Sequence, residues 1–343
     1  MTNSTRDDFQ LLPVVLINFN TTEQTLRCIE SLSTMPGAGV LWILDNSTLA
    51  SETALLHRAG ERWSKRVRLI TSRRNLGFAA GSNLLVEYVM MESDCKYVLL
   101  LNNDMVALPE LALILLHAAK GDRDLGLIGG RVHQLDNPDC PDSLGITLYS
   151  CLMASNRKET ADPYLGPTGG CMLLSRAFIN DVIASTGYLF DPEYFCYCED
   201  TDLVLRARLL GYEPAYVDAL LALHEGQASS GSRFNAFIAY HGLRNAIWTF
   251  VKCMPLTVII RRAPHFLLAN LMSIARFMAT GQWRLLYRIY RDAILGLPRC
   301  WNQRRKIMAA KRISGNQLMK VISDKFYEAG YIKSAIRRIT FGR

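Results

Sequence analysis

The sequence predicts an α/β fold on a mainly parallel sheet, followed by a basic and mostly helical region. Two observations predict it. Between residues 11 and 104, short apolar runs alternate with segments whose apolar residues recur at helical spacing. Apolar runs that are buried on both faces and separated by helices are typical of parallel strands. From about residue 234, the composition changes to Trp, Arg, Leu, Ile and Met.

Four apolar runs predict the first four strands. They cover residues 11–20, 40–47, 67–75 and 95–104, and each run ends in polar residues. In parallel sheets, ligands bind beyond the carboxyl ends of the strands. We therefore expect the polar strand ends to face one crevice. They comprise Asn18, Asn20, Asp45 to Ser47, Asn75, and Asn102 to Asp104.

Three helices are predicted within this part of the chain. Residues 22–35 carry apolar side chains at helical spacing, and residues 84–91 form a second helical segment after a turn that contains glycine. The third helix begins at the acidic sequence 199–202, where carboxylates suit the positive end of the helix dipole.

Composition and cysteine usage exclude several classes of protein. Of the 343 residues, 50% are hydrophobic and 20% are charged, which is ordinary globular usage and excludes a disordered or fibrous chain. The nine cysteines include no CxxC pair, which argues against a disulfide framework or a zinc ribbon and favours a reducing compartment. The first residues lack the positive charge of a signal peptide, so a cytoplasmic protein is expected.

Charge divides the chain into two parts. Residues 233–343 carry 21 Lys and Arg against three acids, net +18, whereas residues 1–232 carry net −10. We predict a ligand-binding domain over 1–232 and a basic helical region over 233–343. Such a basic region suits an anionic partner, either nucleic acid or an anionic membrane surface.

The basic region favours a membrane surface over nucleic acid. Its longest apolar stretch without charge, 263–275, is shorter than the roughly 20 residues that span a bilayer. Flanking arginines suit a helix that lies in the interface of an anionic leaflet. Aromatic residues interleaved with arginines could also stack on nucleic acid, but the long aliphatic stretches need burial or lipid. A soluble helical subdomain with a solvated basic face is the remaining alternative.

Individual motifs allow both a functional and a structural interpretation. Asp45 could accept hydrogen bonds from a nucleobase or ribose, or could belong to a turn. Gly77 in the segment 74–83 permits close backbone approach at a helix start, which suits a phosphate or a polar ring, or is an ordinary strand-to-helix turn. Asp104 could hold Mg²⁺ or Mn²⁺, although Asn102 stands where a second carboxylate would be expected, so a further ligand should exist.

Two features later in the chain are further candidates for functional residues. Glu199, Asp200 and Asp202 crowd three carboxylates at a helix start, which raises at least one pKa and suits a general base. A solvated group of acids at a helix end is the alternative. His224 could be a metal ligand or a diphosphate contact, or could be structural.

The order of these segments resembles the family 2 inverting glycosyltransferases of GT-A fold, within them the rhamnosyltransferase branch. The resemblance covers roughly residues 11–250. It is carried by the segments INFN, LDNST, RNLGFAAGSN, LLLNND, GPTGGCMLLSR, FCYCEDTDLVLRARLLGY and LHEGQ. The implied fold is a Rossmann-like mixed sheet, with residues 1–232 as the catalytic domain.

The resemblance also implies residue roles. Asp200 would be the catalytic base, and Asp104 and His224 would complete a site for a divalent cation, Mg²⁺ or Mn²⁺. Gly169, Gly170 and Glu199 would lie on the acceptor side. The residues implied in donor binding are Asn18, Asp45, Asn75, Gly77, Asn102 and Asn103.

The implied reaction moves a sugar from a nucleotide diphosphate onto an acceptor hydroxyl with inversion, in the synthesis of a cell-surface polysaccharide. The expected donor is dTDP-L-rhamnose, with a UDP-hexose or UDP-galactofuranose as alternatives. The expected acceptor is a saccharide or an isoprenoid-diphosphate-linked saccharide at the inner face of the cell membrane. A protein that binds polyanions through its basic tail is a more distant alternative.

Overall fold

A computed structural model describes residues 11–121, 125–226 and 235–328. A central mixed sheet separates two apolar cores, and helices cover both. Neighbouring residues of one strand belong to different cores, as Val14 and Val15 do, because successive side chains of a strand point to opposite faces. Burial on both faces explains why these strands appear in the sequence as continuous apolar runs.

Eleven strands lie in the described part of the chain. They are β1 Leu12–Asn18, β2 Ala38–Asp45, β3 Val67–Thr71, β4 Tyr97–Leu101, β5 Met105–Ala107, β6 Leu127–Gln134, β7 Pro141–Ser143, β8 Ile146–Leu148, β9 Ala154–Asn156, β10 Cys171–Ser175 and β11 Ala215–His224. The main sheet has the order β3-β2-β1-β4-β10-β6-β11-β5, with β7 paired to β6. The four predicted strands are confirmed as β1 to β4, which are mutually parallel.

In the second half of the sheet order, from β10 to β5, parallel and antiparallel strand pairs both occur. Strand β10 runs antiparallel to both β4 and β6, and β11 runs parallel to β6. Strand β5 follows β4 almost at once yet pairs with β11, antiparallel, at the opposite end of the sheet order. The C-terminal end of β11 is thereby placed beside the polar residues that follow β4.

Eleven α-helices are described. They are α1 Thr22–Ser33, α2 Ala50–Gly60, α3 Gly77–Glu92, α4 Leu111–Ala118, α5 Arg176–Thr186, α6 Glu199–Leu209, α7 Ala236–Cys253, α8 Leu256–Ala279, α9 Trp283–Leu295, α10 Leu297–Ala310 and α11 Gly315–Met319. The predicted helices are confirmed as α1, α3 and α6.

The helices of the basic region share a core with the sheet. Val258 and Phe266 of α8 and Ile307 of α10 belong to the same buried cluster as Val15 of β1. Helix α7 packs against α6, and α10 packs against α5 and α6. The predicted boundary at residue 232/233 lies outside the described residues. Among those that are described, no helix combines the length and the apolar character needed to cross a bilayer.

Candidate active site

The carboxyl ends of β1 and β2 bring Asn18 and Asp45 together. These residues are register partners, and Nδ2 of Asn18 donates a 3.0 Å hydrogen bond to Oδ1 of Asp45. Burial opposes ionisation of Asp45, but hydrogen bonds from Ser47 and Asn18 offset it and hold the carboxyl pKa below its ordinary value. Its second oxygen, Oδ2, is buried without a hydrogen-bond partner. Asp45 is therefore an ionised carboxylate with one acceptor oxygen unsatisfied.

A hydrogen-bonded chain extends from this pair to the end of β4. The hydroxyl of Thr25 on α1 donates to Oδ1 of Asn18 at 2.8 Å, and Nδ2 of Asn103 donates to that hydroxyl at 2.7 Å. Nδ2 of Asn103 also contacts the hydroxyl of Thr21 at 2.8 Å. The side chain of Asn103 therefore fixes α1 against the sheet edge.

The turn before α3 closes another side of this region. Oδ1 of Asn75 accepts a 2.8 Å hydrogen bond from the backbone of Gly77, whose φ is +74°. A Cβ at Gly77 would lie 2.5 Å from the carbonyl oxygen of Phe195. Glycine is required here by both conformation and space, and it lets the segment before α6 approach the strand ends.

Asp104 and His224 come together through the pairing of β5 with β11. Oδ1 of Asp104 lies 3.2 Å from Nε2 of His224, and Nδ1 of His224 lies 2.8 Å from Oδ2 of Asp142. Burial disfavours the protonated imidazole, but the contacts with Asp104 and Asp142 outweigh it and raise the pKa of His224 to about 10. The imidazole thus lies between two carboxylates.

Two carboxyl groups lie side by side in the first turn of α6, Glu199 buried and Asp200 half-buried. Oδ2 of Asp200 accepts a 3.0 Å hydrogen bond from the backbone of Gly169, and burial raises the pKa of Asp200. Burial and the neighbouring charge of Asp200 raise the pKa of Glu199 to about 8. Oε2 of Glu199 is buried without a hydrogen-bond partner. A carboxyl group whose pKa is raised holds its proton more readily, which is a requirement for a general base.

Asp202 does not join this pair, although it lies in the same acidic sequence. It is fully buried on the far side of α6, where its oxygens lie 2.9 Å from Nζ of Lys252 and 2.9 Å from Nε of Arg206. Those cations hold the pKa of Asp202 below its ordinary value despite the opposing effect of burial. The three acids expected to form one cluster are thus two neighbouring carboxyl groups, Glu199 and Asp200, and a separate ion pair of Asp202 with Lys252 and Arg206.

Gly169 lies close to the first turn of α6, and Gly170 lies close to the residues that follow β4. A Cβ at Gly169 would lie 3.4 Å from Cβ of Asp200, and a Cβ at Gly170 would lie 3.3 Å from Nδ2 of Asn102. The backbone N–H of Asn102 donates to the carbonyl oxygen of Gly170 at 2.8 Å. The predicted site residues therefore form one connected set rather than lying on separate surfaces.

Comparison with known proteins identifies the family of this chain. A family model described as "Glycosyl transferase family 2" matches residues 14–183. Rhamnosyltransferase WbbL of Escherichia coli (strain K12) is 28% identical over 180 residues, which cover 48% of this chain and 67% of WbbL. The chain belongs to glycosyltransferase family 2.

Solved structures are similar in fold. The crystal structure of GalNAc-T7 with UDP, GalNAc and Mn²⁺ aligns with a TM-score of 0.55 at 14% identity, over 70% of this chain and 48% of that one. This chain thus spans about half the length of GalNAc-T7. The mannosyltransferase PcManGT from Pyrobaculum calidifontis, in complex with GDP-Man and Mn²⁺, aligns with a TM-score of 0.49 at 13% identity, over 88% and 85% of the two chains. The likeness to GalNAc-T7 confirms the predicted GT-A fold.

The donor atoms in this glycosyltransferase suit a divalent cation only when a substrate supplies further ligands. Within the described residues, no group of three or more His, Cys, Asp or Glu could hold a metal ion. Asp104 and His224 nevertheless face each other, with Oδ1 of Asp104 3.2 Å from Nε2 of His224. Mg²⁺ commonly binds through one or two carboxylates plus substrate phosphates, so Asp104 fits such an ion, with His224 beside it.

Sequence reasoning missed three functional candidates. Asp142, which holds Nδ1 of His224, lies in a turn-rich segment that gave no signal. Arg244 and Asn245 of α7 contact the backbone just before α6, but in the sequence they belong to the basic region. Only the tertiary contacts identify these residues.

Proposed function

We propose that this glycosyltransferase moves L-rhamnose from dTDP-L-rhamnose onto a hydroxyl of a saccharide or lipid-linked saccharide, with inversion at the anomeric carbon. The observation that supports the proposal is the 3.0 Å hydrogen bond from the backbone N–H of Gly169 to the partly buried carboxylate of Asp200, next to Gly170, whose Cβ position lies close to Asn102. The choice of rhamnose is supported by the 28% identity to WbbL.

The donor nucleotide is assigned to the strand ends around Asp45. Its Oδ2 is buried and has no partner, so it can accept a hydrogen bond from a nucleobase N–H or a ribose hydroxyl. Leaving such an oxygen unsatisfied costs free energy, and a bound base would recover it. Asn18 holds Asp45 in place, and Oδ1 of Asn75 holds the backbone of Gly77 in the turn before α3.

Asp200 is assigned as the catalytic base. Its raised pKa keeps it a competent proton acceptor, and the N–H of Gly169 orients one of its oxygens. The base removes the proton from the acceptor hydroxyl, whose oxygen then attacks the anomeric carbon as the bond to the diphosphate breaks. Glu199, protonated below a pKa of about 8, adds no second negative charge at neutral pH. It can donate a hydrogen bond to the acceptor.

The diphosphate is assigned to the end of β4. Asp104 and His224 would hold a divalent cation there, which when bound would offset the negative charge of the departing diphosphate. Asp142 orients the imidazole by accepting from Nδ1, so that Nε2 faces Asp104. Asn102 lies between this pair and Gly170 on the acceptor side.

An anionic membrane surface at the inner face of the cell membrane is the proposed partner of the basic region. Helix α8 carries a stripe of exposed apolar side chains separated by four or seven residues, which places them on one helix face. They are Leu256, Ile260, Leu267, Leu271 and Met278. Helix α9, packed beside α8, exposes Trp283 and Tyr287, and both helices carry exposed arginines. This combination suits a helix pair lying in a lipid interface.

A panel of nucleotide sugars tests the donor assignment. We expect dTDP-L-rhamnose, among dTDP-, UDP- and GDP-sugars, to raise the melting temperature most, and to yield a rhamnosylated product with a lipid-linked acceptor. A larger shift and product with a UDP-hexose or UDP-galactofuranose would replace rhamnose while keeping the reaction class. No shift and no product with any donor would overturn the proposal.

A further inference from the structure

The backbone just before α6 has an unusual conformation. Phe195, Tyr197 and Cys198 have φ values of +66°, +66° and +65°. L-residues other than glycine rarely adopt this left-handed region, and such residues persist only where their surroundings enforce them. Three of them within the four residues 195–198 therefore require strong external contacts. The segment leads directly into Glu199 and Asp200.

Asn245 of α7 supplies one set of these contacts. Its side chain is fully buried, and its Nδ2 lies within hydrogen-bond distance of three backbone carbonyl oxygens. The distances are 3.0 Å to Tyr194, 3.0 Å to Cys196 and 2.7 Å to Tyr197. The side-chain amide of Asn245 therefore contacts the backbone carbonyls at both ends of residues 194–197.

Arg244 supplies a second set. Its Nη2 donates to the carbonyl oxygens of Glu193 at 3.0 Å and Tyr194 at 3.1 Å. Its Nε donates to Oδ1 of Asn245 at 2.9 Å, which turns the NH₂ group of Asn245 toward the segment. The guanidinium carbon lies 4.3 Å from the ring centroid of Trp248, so the arginine is itself held in place.

The opposite side of the segment contacts the donor half of the site. The carbonyl oxygen of Phe195 accepts a 3.0 Å hydrogen bond from the backbone of Ala79 in α3, beside Gly77. Further along α7, Lys252 binds Asp202 of α6 at 2.9 Å. The segment is therefore enclosed between α3 and α7, and α7 also holds the helix that carries Asp200.

We propose that Arg244 and Asn245 are positioning residues, which hold residues 195–198 in the conformation that presents Asp200 to the acceptor hydroxyl. The inference rests on the proposed function, because the role of Asp200 as base belongs to it. It gives the first helix of the basic region a part in catalysis that is separate from any membrane contact.

Kinetics of point variants test this role. Asn245→Ala removes the shared donor, and Arg244→Lys keeps the charge but loses the planar fork that reaches two carbonyls. Because a misplacement of about 1 Å can cost 100-fold in rate, we expect kcat of Asn245→Ala to fall about 100-fold. We expect Arg244→Lys to show a smaller loss, and KM for the donor to stay within about twofold in both variants.

Asn270→Ala is the matched control. Asn270 of α8 is also a buried asparagine of the basic region; its Nδ2 donates to Phe266 and its Oδ1 accepts from Tyr290. It makes none of the hydrogen bonds to residues 193–198, so its loss should lower stability while kcat is retained. An equal fall of kcat in the Asn270 and Asn245 variants would mean general destabilisation and would overturn the proposal.

Amide hydrogen exchange separates this inference from the proposed reaction, because it needs no substrate. We expect faster exchange at residues 195–201 in Asn245→Ala, and wild-type exchange there in Asn270→Ala. Unchanged exchange at 195–201 in the Asn245 variant would overturn the positioning role whatever the kinetics show. If the wild-type chain transfers no sugar, the proposed reaction fails, and the exchange data alone then decide whether α7 holds the segment.

Discussion

The backbone N–H of Gly169 donates a 3.0 Å hydrogen bond to Oδ2 of Asp200. This bond links the turn before β10 to the first turn of α6. It orients the carboxylate, and no side chain at position 169 separates the carboxylate from Phe78 of α3. The carboxylate is therefore held in one orientation, with no side chain on the side of Gly169.

Asp200→Asn should abolish most of the transfer activity. The amide keeps the size of the side chain and can still accept from Gly169, but it cannot take a proton. Because general base catalysis contributes about 10²- to 10⁴-fold, kcat should fall by that factor. Product formation under saturating donor measures kcat, and calorimetric titration should give an unchanged donor affinity. Turnover near that of the wild type would remove Asp200 from the mechanism.

Glu199→Gln should change how stability depends on pH. The pKa of Glu199 is about 8 in the folded chain against 4.5 as its ordinary value. Between these values the folded state keeps a proton that the unfolded state has lost, so the contribution of Glu199 to stability declines as pH rises from about 4.5 to 8. Glutamine is neutral and lacks this decline. The melting temperature of the variant relative to wild type should therefore rise between pH 5 and pH 8.

The control for this measurement is Glu87→Gln, which changes an exposed glutamate on α3. Its melting temperature should follow that of the wild type at every pH. If the Glu199 and Glu87 variants gave the same curve, Glu199 would not be a buried acid with a raised pKa.

Asp142→Asn should weaken cation binding without abolishing it. Asp142 orients His224 through Nδ1, and loss of such an outer partner typically costs about 10- to 100-fold in metal affinity. Asp104→Ala, which removes the carboxylate proposed as a direct ligand, should cost more. Titration of Mn²⁺ in the presence of the nucleotide diphosphate gives the affinities. Asp139→Asn, an exposed acid of the same turn-rich segment, is the control. Equal donor binding with and without a chelator would argue against a cation at Asp104.

Lys252→Met should destabilise the fold strongly. Nζ of Lys252 is fully buried, 2.5 Å from Asp191 and 2.9 Å from Asp202. Removing one member of a buried ionic network leaves uncompensated charge and typically costs about 3–5 kcal/mol. Denaturant unfolding measures the loss. Arg291→Met, which breaks an exposed pair on α9, should have little effect. Similar stabilities for the two variants would contradict the importance of the buried network.

Changing the apolar stripe of α8 should release the chain from membranes. Ile260→Glu combined with Leu267→Glu places two charges on the exposed face without touching the core. Co-sedimentation with anionic vesicles should fall sharply, while donor-induced stabilisation persists. Leu49→Glu changes an exposed leucine before α2 and should leave sedimentation unaltered. If the double variant sedimented as well as the wild type, the stripe would not be the membrane contact.

Local sequence patterns were enough to predict strands β1 to β4 and the sheet edge that carries the candidate site. Continuous apolar runs predicted β1 to β4, and polar residues at their ends predicted that Asn18, Asp45 and Asn103 would lie near one another. This succeeded because strand period and burial are local properties, and because adjacent parallel strands end at the same edge. The order of the motifs along the chain also sufficed to predict the family.

Tertiary structure alone decided which polar residues meet across long separations. His224 reaches Asp104 because β5 pairs with β11, a choice that no local pattern encodes. Asp202 lies apart from the neighbouring acids of α6 because its side chain contacts Lys252, whereas the side chain of Asp200 contacts Gly169. The support that Arg244 and Asn245 give to residues 195–198 likewise depends on how α7 packs. Side-chain direction and non-local pairing follow from packing of the whole chain, so composition and spacing could not predict them.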